Sequence, residues 1–382
     1  MSSQNGPFEG SRWRRKQALG HRYLIRPPAW NGLGSGGCCR GNVFLVLPSN
    51  PAMAIDVCRR ARPIARLLAT CLFLWSFPAL AQRGAMTLAY QLTHVDTGEP
   101  FPSSDGKKIV FEIKIEGLYQ LFIMNPDGSG QVQITRDAAN HDTPAWSPDG
   151  RKIAYVSDRG GHSAIYVLNV GDVFEGSTGQ RPVATQSVAT TLGEKITDDR
   201  HEYIHPSWSP DSGRIIYCSD DDLKPPAKNA SEMFSVDLKT RQVTTLISGG
   251  TNTYPSWSPD GKKIVFRRML GEMNSEVFVA NGDGSEARNL SNHPAFDGWP
   301  AWSLDGTMIA FGSNRNANYQ IWVMKADGTD VRLLANTEGR ATEPRWAPDG
   351  RTIYFTDCKK VDFGVDCQVM AASVGERVAA RP

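Results

Sequence analysis

The chain has 382 residues, 40% hydrophobic and 21% charged, which is the composition of an ordinary soluble globular protein. Its formal net charge of +2 misleads: residues 1–81 hold 11 of the 42 Lys and Arg but 2 of the 40 Asp and Glu, so the rest carries 31 basic and 38 acidic residues, a net of −7. An acidic main body argues against a nucleic-acid partner, because phosphate contacts need clustered Lys and Arg.

Residues 1–52 are rich in Gly, Arg and Pro and carry no hydrophobic period, so they read as an upstream extension or disorder. A secretory leader is expected over 53–81. Met53 opens it, Arg59, Arg60, Arg62 and Arg66 form its positive region, and Leu67 to Phe77 form its apolar run. Pro78-Ala79-Leu80-Ala81 ends in a small-residue cleavage site, which makes Gln82 the expected mature N-terminus. The apolar run is too short for a stable membrane span, which needs about 20 residues. The leader predicts a periplasmic or secreted protein, with residues 82–382 as one domain.

From there one pattern recurs. It reads EPFPSSDGKKIVFEI at 99–113, TPAWSPDGRKIAYVS at 143–157 and HPSWSPDSGRIIYCS at 205–219. It returns as YPSWSPDGKKIVFRR at 254–268, WPAWSLDGTMIAFGS at 299–313 and EPRWAPDGRTIYFTD at 343–357. The last three intervals between Trp146, Trp208, Trp257, Trp302 and Trp346 are 49, 45 and 44 residues, a period that fits a four-stranded propeller blade. An insertion at 171–190 accounts for the longer interval before Trp208. In the first copy Pro102 stands where the others have Trp.

Each copy reads as a short Trp-bearing strand, an S-P-D-G turn, an alternating strand such as KIAYVSD, a third strand and an outer strand after a D-G-S or D-G-T turn. Six copies predict an all-β, six-bladed β-propeller of four-stranded antiparallel blades. The five Trp are expected to be structural wedges between sheets, since they recur in nearly every blade. Asp149, Asp211, Asp260, Asp305 and Asp349 are expected to cap their own turns. Before the first copy, Gln91-Leu92-Thr93-His94 matches the outer strand Gln133-Ile134-Thr135-Arg136. The segment 86–94 is therefore expected to join the last blade and close the ring. Cys358 and Cys367 flank one hairpin at a spacing that allows a disulfide, and Cys218 reads as a buried thiol.

The loops alternate between two faces. The S-P-D-G and D-G-S turns share one, and the interblade connections share the other, the expected binding face around the channel mouth. Expected there are Glu99, His141, Asp142, Glu202, His205, Tyr254, Asp297, Trp299, Glu338 and Glu343, with Arg340 as the only nearby base. This acidic, His-bearing mouth suits a cationic peptide or a metal ion. A second insertion, 220–231, lies on the same face. His201-Glu202-Tyr203-Ile204-His205 matches H-E-x-x-H, but Pro206 disfavours the helix that a zinc protease requires. His201 and His205 remain candidate metal ligands. No G-x-S-x-G elbow, Walker loop or G-x-G-x-x-G fingerprint occurs, so no catalytic residue and no organic cofactor are expected.

The repeated P-x-W-S-P-D-G-x-x-I-x-[FY], with its later D-G-[ST] turn, resembles the propeller repeat of the TolB-like family over roughly 86–382. The resemblance implies a six-bladed propeller that binds an envelope protein or basic peptide, and a monomer. TolB proteins carry an α/β domain before the propeller, whereas this chain enters the blades directly after its leader. Related repeats accompany hydrolase domains and form sugar lyases. Two alternatives follow: a channel-mouth lyase or hydrolase using His201, His205 and acids, and a carbohydrate- or cell-wall-binding module stacking sugars on Tyr254 and Trp299.

Overall fold

The computed structural model of the chain describes residues 89–175, 181–182, 193–220, 231–271, 274–361 and 364–375. The expected extension and leader lie outside these residues, as do 176–180, 183–192 and 221–230, which hold most of the two expected insertions. The main body consists of six four-stranded antiparallel sheets, each pairing its strands in order from the channel outward. The inner strands are Thr97–Pro102, His141–Trp146, Tyr203–Trp208, Thr251–Trp257, Asp297–Trp302 and Arg340–Trp346, one for each of blades 1 to 6. Among the described residues the single helical turn is a 3-10 turn over Val170–Asp172.

The outermost strand of blade 6 comes from the start of the chain. Tyr90 pairs with Ala371 and Gln91 with Met370 on the third strand, Gly364–Ser373. The Leu92 N–H continues the ladder to the Val369 carbonyl at 2.8 Å. Cys358 and Cys367 face each other in register across the hairpin of blade 6 and are joined by a disulfide.

The core lies in the six seams between blades. Trp208 packs with Ala145, Ala154 and Ile165 of the preceding blade, and its Nε1–H donates to the Ala145 carbonyl at 2.9 Å. Trp346 repeats this contact with the Ala301 carbonyl at 3.2 Å. The indole thus fills the seam and satisfies an inner-strand carbonyl at once. The seam between blades 6 and 1 has no Trp, because Pro102 occupies that position; Phe111, Met124 and Tyr354 fill it instead.

The S-P-D-G turns are built alike. Ser147 Oγ donates to Asp149 Oδ1 at 2.6 Å, and that oxygen also accepts the Arg151 N–H at 3.0 Å. The pairs Ser209–Asp211, Ser258–Asp260 and Ser303–Asp305 match it, and these hydroxyl and amide bonds hold all three carboxyls below the usual range. Asp349 lacks the Ser partner, since Ala347 stands there, and takes the Arg351 and Thr352 N–H groups instead. Neighbouring turns touch: Gly261 lies against Pro210 of the preceding blade and Gly306 against Pro259, at positive φ where a side chain would be strained.

Candidate functional site

Every inner strand is interrupted at the same place. The residue before its Pro has a left-handed backbone: φ is 49° at Glu99, 46° at Thr143, 54° at His205, 53° at Tyr254, 54° at Trp299 and 58° at Glu343. The strand register shifts at each of these six positions. The residue before a Pro is already restricted, and non-Gly residues at positive φ cost on the order of 1–3 kcal/mol each. Such bulges re-aim a side chain out of the strand's alternation. Here they arrange six side chains, one per blade, around the channel.

Part of the cost is offset across the seams. The bulge frees a backbone N–H, and in three blades a side chain from the preceding blade accepts it. The Thr143 N–H donates to Glu112 Oε2 at 3.2 Å and the Glu99 N–H to Thr356 Oγ1 at 3.1 Å. The Tyr254 N–H points to the Cys218 sulfur. Glu112, Cys218 and Thr356 occupy one position, the residue after the I-x-[FY] of the second strand. The other blades place Val156, Arg267 and Gly312 there. Gly312 makes room for Trp299, whose ring would lie 2.9 Å from a Cβ.

The ring has two unlike halves. Blades 6, 1 and 2 supply Glu343, Glu99, Glu112 and Asp142. Burial is the main cause that raises all four carboxyls, and their mutual charges add to it at Glu99 and Glu112. Asp142 is pushed up to about 7. Blades 3, 4 and 5 supply aromatics. The His205 and Tyr254 ring centroids are 3.7 Å apart, and Trp299 follows at 5.8 Å from Tyr254. Phe296 and Tyr319 pack on Trp299 at 5.6 and 5.7 Å. Arg267 lies 4.7 Å from the Tyr254 centroid, and Arg340 lies 4.5 Å from that of Tyr319. Burial, then the charges of Arg267 and Arg345, push the His205 imidazole well down, so it is neutral near pH 7.

The expected site is therefore divided. Glu99, Asp142, His205, Tyr254, Trp299 and Glu343 do come together at the channel. His141 does not: it is fully buried, with Nε2 against the Asp137 carboxylate and its ring beside Tyr155 at 5.6 Å. Asp297 is also fully buried and accepts from Arg315 Nη2 at 2.6 Å. Glu202 turns to blade 2, where its Oε2 accepts the Ser163 N–H at 2.5 Å. Glu338 is exposed and pairs with Lys359 at 3.3 Å. Strand alternation sends His141 and Asp297 into seams, while Glu202 and Glu338 lie in the connections before their inner strands.

His201 and His205 do not converge either. His201 packs on Phe234 and Tyr203, at 6.1 and 5.8 Å, while His205 faces Tyr254. His201 precedes the strand Tyr203–Trp208 and His205 sits at its left-handed bulge, so the two lack the shared i, i+4 face of a helix. Among the described residues no group of three or more His, Cys, Asp or Glu is placed to hold a metal ion. Trp299 is 4% exposed and offers no open stacking face. Arg340 is not the only base, because Arg267 and Arg345 stand at the ring. These two, with Thr143 and Glu112, were missed: Thr143 holds the repeat's x-P position, Arg345 the position after that Pro, and Glu112 and Arg267 the one after I-x-[FY].

A family model described as the TolB beta propeller domain matches residues 89–191 and 192–379. The Tol-Pal system protein TolB of Blochmanniella pennsylvanica is 47% identical over 55 residues, 14% of this chain, and the match spans 12% of that relative's length. A putative TolB from Agrobacterium tumefaciens superposes with a TM-score of 0.51 at 20% identity, over 75% of this chain and 97% of that one. A gluconolactonase from Xanthomonas campestris superposes with a TM-score of 0.54 at 14% identity, over 78% of this chain and 93% of that one, so an enzyme shares the fold. With most of its described residues matched, the chain belongs to the TolB beta propeller family.

Proposed function

We propose that this propeller is a binding scaffold of the cell envelope, periplasmic or secreted, which holds a protein or basic peptide at its channel mouth. The carrying observation is the acidic arc of Glu343, Glu99, Glu112 and Asp142, four carboxyls at one channel, Glu112 buried and the others half-buried, all with raised affinity for protons. A Lys or Arg side chain entering beside them supplies the countercharge that lets these carboxyls ionise. The aromatic half gives such a segment a second, apolar wall. Family membership supports the envelope setting, and so does the Cys358–Cys367 pairing, which persists in oxidising compartments.

The test is an affinity pull-down from the envelope fraction, comparing wild type with Glu99→Gln/Asp142→Asn/Glu343→Gln. The reading expects a salt-sensitive partner that the triple variant loses. An identical set of bound proteins from both would contradict it.

A further inference from the structure

One cavity runs from the ring, where Glu99, Thr143, His205 and Tyr254 line it, toward the S-P-D-G turns. It has a volume of about 340 Å³, the size of a small-molecule pocket. Its origin is visible in the repeat. One residue after the Pro of each inner strand, the six blades place Phe101, Ala145, Ser207, Ser256, Ala301 and Arg345. Four of these are Ala or Ser, so the channel at this level is left unfilled along blades 2 to 5. The walls are the edges of Trp146, Trp208, Trp257, Trp302 and Trp346 with the repeat prolines. The outer rim is Ser104, Pro148, Pro210, Pro259, Leu304 and Pro348, with Leu304 52% exposed. Leu304 stands where four of the other turns have Pro and the first has Ser104, and it adds an apolar lip.

One group in this cavity lacks a partner suited to it. Arg345 is half-buried, its Nη1–H donates to the neighbouring Pro344 carbonyl at 3.1 Å, and its guanidinium lies 5.5 Å from the Phe101 centroid. It forms no ion pair among the described residues. Its charge lowers both Glu99 and Glu343 against the larger upward effect of their burial. A half-buried guanidinium with most of its donors unused calls for an acceptor, and a carboxylate matches its fork geometry.

We propose that the S-P-D-G end of the channel binds a small apolar carboxylate, its charge on Arg345 and its body in the space left by Ser207, Ser256 and Ala301. This pocket reaches the S-P-D-G face and shares Glu99, His205 and Tyr254 with the ring, but its anchor is Arg345 rather than the acidic arc. The carboxylate can belong to a free organic acid or to the C-terminus of a peptide ending in an apolar residue.

The experiment is isothermal titration of the purified mature chain with 3-phenylpropionate, its amide and the matching amine, and with a short Phe-ending peptide as free acid and as amide. The expected result is saturable binding of a carboxylate at least about tenfold tighter than its amide. Preference for phenylpropionate or for the free-acid peptide identifies the source. Arg345→Gln should abolish that preference, and Ser256→Leu should weaken every ligand by filling the cavity, each with its unfolding midpoint measured as a check on folding. Equal binding of acid and amide, tighter binding of the amine, or no binding by any probe up to about 10 mM would overturn the proposal.

Discussion

Thr356 ties Glu99 to Glu343: its hydroxyl accepts the Glu99 N–H at 3.1 Å and donates to Glu343 Oε2 at 3.0 Å. The two glutamates are the first and last members of the ring, and they meet where the ends of the propeller meet. Burial raises both, and the Glu343 charge raises Glu99 further, so the pair does not ionise freely.

That arrangement sets a pH dependence. An acid whose folded pKa is raised contributes stability below its unfolded value and loses it as pH rises through the folded one. For Asp142 the window runs from 3.8 to about 7. Asp142→Asn should therefore raise the unfolding free energy at pH 8, by up to about 4 kcal/mol, and change it little at pH 4. Equal effects at both pH values in denaturant titrations would count against a carboxyl that the fold holds above its ordinary pKa.

The turn aspartates have the opposite sign. Asp211, Asp260 and Asp305 are held below the usual range by their Ser partners and backbone amides, so their contribution is present above the unfolded pKa and lost as pH falls through the folded one. Asp211→Ala should destabilise at pH 7 and much less at pH 2. Melting curves at the two pH values check this.

The seam tryptophans are structural. Trp208→Ala should cost about 3–5 kcal/mol, through its cavity and the lost bond to the Ala145 carbonyl. A loss below about 1 kcal/mol in equilibrium unfolding would show that the seam repacks without it.

The pairing of Tyr90 and Gln91 with the last blade makes closure of the ring by the first strand a direct proposal. Deleting 86–94 exposes the outer edge of Gly364–Ser373 and should lower the melting temperature of the whole propeller in one cooperative step. An unchanged midpoint would contradict closure.

The blades were legible because their signals are local. W-S-P-D-G encodes an inner strand and its turn, and I-x-[FY] encodes the next strand. The ring was partly legible, since the connections leading into the inner strands share one face; Glu99, His205, Tyr254, Trp299 and Glu343 were found that way, and each precedes a Pro. The errors came from residues two or three positions earlier. His141 and Asp297 look like mouth residues in the sequence, yet strand alternation buries both in seams, against Asp137 and Arg315. Glu112 and Arg267 lie on second strands, and only the three-dimensional offset between neighbouring blades brings them under the ring. That offset has no signature within a single repeat.

The central claim is that the mouth face, and not the S-P-D-G face, engages an envelope protein. Site-specific photo-crosslinking in cells tests it most directly, with the reactive group at Arg340 on the mouth and, as the control, at Asp260 on the opposite face. The account predicts a discrete protein adduct from position 340 that disappears when Glu99 and Glu343 are changed to Gln, and none from position 260. Adducts from position 260 alone, or the same adduct from both positions, would contradict it.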